Sequence, residues 1–446
     1  MIFFNEGTKD KAIKDDNTDW LTYGELNQKV NDRLSILNAI DRSLFFVYPS
    51  NDTDSVIEII ALLESCHVFC LLDPNITIAN KKSLYETYQP NYEFINGKLS
   101  KVSSKIISMH SELKLLLTTS GSTGNPKLVK LTMKNIIHNA KSISASLAIG
   151  IQDIACGHLA LQYAFGFSVV TSHLISGASV RLTNNSFSDS EFWKLVRGDK
   201  ITHLPGVPFH FQIMLRFGLE RLKIPSVNSV AQAGGALDLE SKKKLYDWMH
   251  STDGRLYIMY GQTEAAPRIS TLQPEKFTNS PNAVGEPLLD GRIEILNPDA
   301  DGVGEVFYIG PNVMMGYAET KSDLAIEDNT YNKLNTGDFG YIDKFNQLVL
   351  KGRSKKSAKV FGIRVNTDDI ELLLMTEYDT AVLEKNNKIK IFIGNLTNEL
   401  SVQKRPLILN LLKENFNLPI QAYEIIFIAQ IPKTDRGKTD YKKLIS

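Results

Sequence analysis

Leu115-Leu116-Leu117-Thr118-Thr119-Ser120-Gly121-Ser122-Thr123-Gly124-Asn125-Pro126-Lys127 is the most informative stretch of this chain. An apolar strand runs into a loop of hydroxyl and glycine residues that ends on a lysine. Glycines let backbone N–H groups approach an anion closely, hydroxyls add donors, and the lysine adds charge. This is chemistry suited to polyphosphate. It is not a Walker A loop, which needs Gly-x-x-x-x-Gly-Lys-Ser/Thr. Gly121 stands six residues before Lys127, but Pro126 occupies the place of the second glycine. A P-loop kinase or ATPase releasing ADP is therefore disfavoured.

Outward from this loop, the chain alternates helical and strand patterns. Thr22 to Leu37 has apolar residues at helical spacing, Leu44 to Tyr48 is a short buried-strand run, and Ser55 to Leu63 is a further helix. In the middle, Ser188-Asp189-Ser190-Glu191 has the form of a capping box opening a helix through Val196. Strands are expected at Ile201 to Leu204, Val227 to Ala231 and Arg255 to Tyr260. The helices between them run from Phe209 to Arg216 and from Asp238 to His250. Such alternation implies parallel pairing with helices on both faces. Ligands of such sheets bind beyond the carboxyl ends of the strands. Two glycine-containing segments fall there: Ala233-Gly234-Gly235-Ala236 and Gly261-Gln262-Thr263-Glu264. After about Ser280 short β runs predominate, at Arg292 to Leu296, Glu305 to Ile309, Gly340 to Asp343 and Gln347 to Leu350. From Gly352 a last unit shows a strand, a helix and a strand at Lys388 to Ile393, Leu400 to Asn415 and Tyr423 to Ile428.

Composition narrows the class. The chain has 446 residues, long for one core, with 43% hydrophobic and 22% charged residues, as in ordinary globular proteins. Its formal net charge is zero, which argues against a general nucleic-acid or anionic-membrane surface. Three cysteines, Cys66, Cys70 and Cys156, do not make a disulfide framework, and Cys66-His67-Val68-Phe69-Cys70 reads as buried core rather than a metal site. The N-terminus lacks the pattern of a secretory signal, and no run reaches the roughly 18 apolar residues that span a bilayer. The cytoplasm is the expected location.

The loop Ser120 to Lys127 resembles the signature loop of the adenylate-forming (AMP-binding) superfamily, which contains acyl-CoA synthetases, nonribosomal peptide adenylation domains and luciferases. Further segments repeat the resemblance in order. Leu21-Thr22-Tyr23-Gly24-Glu25-Leu26 and Leu71-Leu72-Asp73-Pro74 are similar to its early motifs, and Tyr260-Gly261-Gln262-Thr263-Glu264 to its Tyr-Gly-x-Thr-Glu motif. Thr336-Gly337-Asp338 and Gly352-Arg353 match its ribose motifs. Phe361-Gly362-Ile363-Arg364-Val365 and Pro432 to Lys438 are similar to its last two. The resemblance implies an α/β fold with a large N-terminal adenylating domain, residues 1–352, of mostly parallel sheets covered by helices plus a β-rich subdomain. A small mobile α+β lid, residues 353–446, follows, with a hinge near Lys355.

The resemblance also implies roles. Thr119, Ser120, Gly121, Ser122, Thr123, Gly124 and Lys127 would hold the β- and γ-phosphates of ATP. Thr263 would meet the α-phosphate and Glu264 would bind Mg²⁺, easing the attack of one anion on another. Tyr260 and Gly261 belong to the same nucleotide site. Asp338, assisted by Arg353, would accept the ribose hydroxyls, and Gly234, Gly235 and Ala236 would leave room for adenine. Lys438 would offset charge in the transition state. The implied reaction makes an acyl-adenylate, releases pyrophosphate, and passes the acyl group to coenzyme A or to the phosphopantetheine of a separate carrier protein. No phosphopantetheine site follows Lys438, so the acceptor is expected from outside.

Amino-acid-activating members carry Asp in a Phe-Asp-x-Ser motif, where this chain has Phe165-Gly166-Phe167-Ser168. A buried ammonium without a partner is costly, so an α-amino acid is disfavoured. Tyr163, Phe165 and Phe167, with Gly166, would line a pocket for a short, medium or aryl acid; as plain core aromatics they would say nothing of substrate. The competing functions are a stand-alone amino-acid adenylation enzyme loading a carrier protein, and a catalytically silent acyl-ligand binding protein. The chain is shorter than typical members, and the abbreviation is expected between Glu371 and Lys388.

Overall fold

The computed structural model describes residues 10–445 apart from 96, 119–126, 354–356, 361–362, 376, 387, 396–397, 417 and 435–438. For others, among them Arg353 and residues 357–360 and 363–366, it describes the backbone alone. Two large sheets carry the first part of the chain. A seven-stranded sheet runs in the order Gly316–Ala318, Leu128–Thr132, Leu113–Thr118, Val68–Leu71, Leu44–Tyr48, Tyr92–Ile95, Lys98–Lys101. The four strands from Leu113–Thr118 to Tyr92–Ile95 pair in parallel, and antiparallel strands flank them on both edges. The second sheet has nine strands, with Arg255–Gly261, Ser229–Gln232, His203–Gly206, Ile154–Gly157, Ser179–Leu182 and Lys11–Lys14 parallel in that spatial order. Its ends too are antiparallel, so the expected parallel sheets are parallel at the centre and mixed at the edges.

Helices fill the space between the sheets. The helix Thr53–Glu64 is apolar on nearly every side, and its residues 53 and 55 to 63 are all buried. A helix that is hydrophobic all round must be covered all round. Its Val56, Ile59 and Ile60 share one core with Phe45 and Leu115 of the first sheet and Val180 and Leu182 of the second. Burial of each such side chain contributes on the order of 2 kcal/mol.

One charge lies inside this layer. Glu58 is 0% exposed, with Arg33 Nε 2.9 Å from its carboxylate. Burial pushes its carboxyl up to about 7, and the Arg33 charge offsets only part of that. The folded state therefore holds the proton more tightly than the unfolded chain. The stability this contributes is full below about pH 4.5, the ordinary value, and is lost as pH rises through about 7. We predict that Glu58→Gln unfolds like the parent at pH 5 and gains up to about 3 kcal/mol over it by pH 8, read by urea denaturation. Parallel stability curves across that range would mean that Arg33 keeps Glu58 ionised.

Several sequence expectations hold locally. Thr22 caps the helix Tyr23–Leu37 in a capping box with Glu25, and Asp238 caps Leu239–Ser251 by accepting from the Ser241 N–H at 2.8 Å. The capping box expected at Ser188 to Glu191 does not form. Asp189 takes the cap position of the helix Ser190–Gly198 without a cap bond, because its carboxylate turns back to accept from the Ser186 N–H. Cys70 and Cys156 are buried but Cys66 is exposed, so only part of that run is core.

Beyond the sheets, a four-stranded antiparallel sheet contains Arg292–Leu296, Gly304–Ile309, Lys333–Ile342 and Leu348–Arg353. The last part of the chain builds a sheet from Asp379–Lys385, Lys388–Gly394 and Tyr423–Phe427, with the helices Thr367–Met375 and Asn398–Asn415. Its hydrophobic clusters draw only on residues from Ile370 onward. The segment between Glu371 and Lys388 holds the end of the helix Thr367–Met375 and the strand Asp379–Lys385. Glu371 fastens it by accepting from the Val382 N–H at 2.8 Å and the Tyr441 hydroxyl at 2.5 Å.

Candidate active site

Two strands of the nine-stranded sheet end in the glycine segments. After Ser229–Gln232 the chain turns at Gly234, whose φ is +80°, a conformation that favours glycine. The Gln232 amide donates to the Gly235 carbonyl at 2.8 Å and holds the turn. A side chain on Gly234 would begin 3.1 Å from Val207, so the backbone runs close to its neighbours with Ala236 just beyond.

The strand Arg255–Gly261 ends opposite Arg268, and a Cβ on Gly261 would lie 2.0 Å from the Pro267 carbonyl oxygen. No side chain fits there. Thr263 and Glu264 follow in the single 3-10 turn Thr263–Ala265. Two buried asparagines, both missed in the sequence, fix this loop. Asn312 donates its amide to the carbonyls of Ala265 and Arg268 at 2.6 and 2.7 Å, and Asn139 donates to the same two at 3.2 Å each. Tyr308 completes the clamp by donating to the Asn312 side-chain oxygen at 2.7 Å. Isolated Asn residues 173 positions apart carry no local signal, so only the fold reveals them.

The ends of the Tyr260-Gly261-Gln262-Thr263-Glu264 segment reach two different groups. At one end the Tyr260 hydroxyl donates to the Asp338 carboxylate, and both residues are buried. The Gln262 amide donates to the Thr336 carbonyl at 3.2 Å. Thr336-Gly337-Asp338 lies inside the strand Lys333–Ile342, which begins well before the expected Gly340. Leu334, Thr336, Asp338 and Gly340 alternate inward, and the polar pair at inward positions hides the strand period. The backbone register sets Asp338 opposite Arg353.

At the other end, Glu264 accepts from the Tyr317 hydroxyl at 2.8 Å, and Lys127 Nζ sits 3.5 Å from the centre of the Tyr317 ring. Lys127 also lies 3.6 Å from Glu319, an exposed pair of little energetic weight. Tyr317 arrives here because Gly316–Ala318 pairs antiparallel with Leu128–Thr132, the strand that follows the signature loop. Thr119, Ser120, Gly121, Ser122, Thr123 and Gly124 lie outside the described residues, as do Lys355, Gly362 and Lys438. Lys433 and Thr439 pair as an antiparallel bridge on either side of Lys438.

The acyl side is set by the helix Ala164–Ile175. Tyr163 occupies its cap position and donates to Asp73 at 2.8 Å, joining an early motif to this helix. Phe165 faces a cavity with Ile143, Ala231 and Met259. Phe167 does not line it: two residues on, it points the opposite way and is 3% exposed in the main core beside Val170. A Cβ on Gly166 would lie 2.3 Å from the Ala160 carbonyl oxygen and 2.5 Å from that of Leu159. The backbone of the preceding turn fills the place an aspartate would need.

A mixed α/β sheet ending in a Tyr-Gly-Gln-Thr-Glu loop that bonds the Thr-Gly-Asp strand on one side and approaches the signature lysine on the other defines an adenylate-forming enzyme. The model of the AMP-binding enzyme family matches residues 4–318, and the chain belongs to that family. A 2-succinylbenzoate–CoA ligase of Staphylococcus epidermidis is 26% identical over 352 residues, covering 75% of this chain and 73% of the relative. One from Staphylococcus aureus is 27% identical over 244 residues, with 55% and 48% covered. Among solved structures, the o-succinylbenzoate CoA synthetase of Bacillus subtilis in complex with its acyl-adenylate intermediate superposes with a TM-score of 0.81 at 18% identity, covering 99% of this chain and 96% of that one.

Proposed function

We propose that this protein uses ATP to activate a short, medium or aryl carboxylic acid, rather than an α-amino acid, and transfers the acyl group to the thiol of coenzyme A. The observation that carries the reading is the five-residue loop from Tyr260 to Glu264, whose two ends meet Asp338 and the Tyr317–Lys127 pair. One rigid segment thereby spans the distance between a ribose site and a phosphate site. The named activity of the Staphylococcus relatives supports an aryl acid and coenzyme A over a carrier protein. Gly166, with no space for a carboxylate side chain, supports the exclusion of α-amino acids.

In this reading residues 119 to 127 cradle the outer phosphates and Thr263 bonds the α-phosphate. Asp338 and Arg353 hold the ribose, and the Gly234–Gly235–Ala236 backbone faces the adenine. Residues 1–352 form the adenylating domain. Residues 353–446, with hydrophobic clusters of their own, form a lid that turns about Lys355 and alternately presents Lys438 and the Gly362 loop. Among the described residues no three His, Cys, Asp or Glu side chains gather as a metal cage. The residues fit Mg²⁺ of the kind held by one carboxylate and substrate phosphates, because Glu264 offers a hard oxygen ligand that Tyr317 orients. When bound, the metal would offset phosphate charge. Among the described residues no helix is long and apolar enough to cross a membrane, and the cytoplasm remains our proposed location.

The test is pyrophosphate and AMP release from ATP with a panel of aryl, short and medium fatty, hydroxy and amino acids, followed by thioester formation with coenzyme A or a carrier protein. Acid-dependent AMP release followed by an acyl-CoA supports the reading. ADP as product, or no acid-dependent release despite ATP binding, sinks it. Glu264→Ala is expected to lower turnover about 100-fold at ordinary Mg²⁺. An unchanged rate would move the metal role elsewhere.

A further inference from the structure

Between the strand Tyr423–Phe427 and the helix Tyr441–Ile445 the chain makes a loop, and both feet of that loop are fixed. At the first foot Ile431 is 0% exposed in a cluster with Ala381, Leu383 and Phe392, and Lys433 Nζ lies 3.3 Å from the Asp379 carboxylate. Across the two feet the Asp440 N–H donates to the Pro432 carbonyl at 2.8 Å, and Lys433 and Thr439 pair as an antiparallel bridge. At the second foot Tyr441 packs against the Ile431 cluster and donates its hydroxyl to the Glu371 carboxylate at 2.5 Å.

Glu371 is the unusual member of this arrangement. It is buried on the helix Thr367–Met375, 70 residues before its tyrosine partner. One of its oxygens accepts both from the Val382 N–H at 2.8 Å and from the Tyr441 hydroxyl. A buried carboxylate is costly unless donors reach it. Hydrogen bonds to an ionised oxygen are short and about twice as strong as neutral ones. Burial, and then the Glu371 charge, push the pKa of the Tyr441 hydroxyl up, so it remains a donor. A helix, a strand and the helix Tyr441–Ile445 therefore meet on one carboxylate. Tyr441 stands three residues after Lys438 in the chain. The helix that carries Glu371 follows directly on the strand Ile363–Asn366, which pairs with Ser357–Val360. The Gly362 end of the C-terminal unit is thus joined to Glu371 by continuous chain, and the Lys438 end reaches it through the tyrosine hydroxyl.

We propose that Tyr441 and Glu371 are positioning residues for Lys438, and that their bond sets where the lysine is presented to the reacting oxygens. The inference rests on the reading of Lys438 as the adenylation lysine and deepens it. A hinge fixes where the C-terminal unit sits as a body. The lysine is useful only if its own backbone is also fixed within that unit, because a misplacement of about 1 Å can cost about 100-fold in rate. The first foot is held by Ile431 and by the Lys433–Asp379 pair. The second is held by Tyr441 on Glu371, close behind the lysine in the chain. The pair acts on the reaction through residues 432–440.

The test compares the full chain with its Y441F, E371Q, K438A and Y441F/K438A variants. Y441F removes the hydroxyl and keeps the ring in its cluster. With the acid of the panel above that gives the fastest release, Y441F should lower kcat for pyrophosphate release about 10-fold and leave the KM for ATP within about twofold. E371Q, whose neutral oxygen accepts more weakly, should fall between Y441F and the parent. Thioester formation from the preformed acyl-adenylate and coenzyme A should stay within about twofold of the parent in Y441F. On the K438A background Y441F should cost nothing further, since no lysine is left to place. Trypsin reads the fixing of the segment without any acid. Cleavage after Arg436 and Lys438, relative to cleavage elsewhere, should rise about 10-fold in Y441F. An unchanged kcat, an equal loss in both half-reactions, an additive loss on the K438A background, or unaltered cleavage overturns the proposal. The two readings fail separately. If K438A loses release and Y441F does not, the positioning role alone is wrong. If K438A keeps the parent rate, or no acid gives release, the lysine reading fails and the positioning role falls with it.

Discussion

Lys438→Ala lowers acid-dependent pyrophosphate release by about 100- to 1,000-fold while ATP affinity stays within about threefold. The expectation follows from where charge changes. An acid carboxylate attacking a phosphate brings two anions together, and a cation aimed at the reacting oxygens counts most at that moment. In the proposed reading, ground-state ATP binding is spread over residues 119 to 127, the Tyr260–Asp338 pair and the glycine segments, so one lysine would contribute little to it. The Lys433–Thr439 bridge brackets the residue that would act, and Asp379 lies 3.3 Å from Lys433 to hold that stretch against the C-terminal sheet. Single-turnover pyrophosphate release and equilibrium ATP binding separate the two effects. A variant that loses both in proportion would make Lys438 a binding residue, and an unchanged rate would remove it from the reaction.

Gly166→Asp costs on the order of 5 kcal/mol of folding stability and does not confer α-amino-acid activation. The new Cβ would lie 2.3 Å from one backbone carbonyl oxygen and 2.5 Å from another, both acceptors that would repel a carboxylate. Relief requires moving the turn at Leu159 and Ala160, and the Tyr163 N–H bonds to the Ala160 carbonyl at 3.1 Å at the start of the helix. Urea denaturation reads the loss directly. A stably folded variant that releases pyrophosphate with α-amino acids would show that the turn yields easily, and would remove the steric basis for excluding them.

Both variants touch residues that the sequence singled out, for reasons of different origin. Lys438 could be singled out as a candidate because its motif lies in one continuous stretch, Pro432 to Lys438. Gly166 was legible as a departure from a pattern, but the carbonyls that enforce it were not. The alternation of strands and helices from Ile201 to Tyr260 was readable because parallel strands buried on both faces and amphipathic helices have different periods. The strand Lys333–Ile342 was read too short because Thr336 and Asp338 take inward positions that apolar residues normally fill. Phe167 was expected beside Phe165, although a helix turns residues two apart to opposite sides.

The sequence by itself determined most of the order of elements and singled out the candidates: the glycine- and hydroxyl-rich loop before Lys127, and Tyr260, Thr263, Glu264, Asp338 and Lys438. These are local facts, since each motif is a short run whose chemistry depends on its own spacing. Only the tertiary structure decided that Tyr260 bonds Asp338 across 78 residues, that Tyr317 stands between Lys127 and Glu264, and that Asn139 and Asn312 clamp one loop. It also decided that Arg268 is buried beside Phe165, with its Nε lacking a hydrogen-bond partner among the described residues. Those relations depend on strand register and helix packing between distant segments. A residue's burial and partners are properties of the folded chain, which spacing along the sequence does not encode.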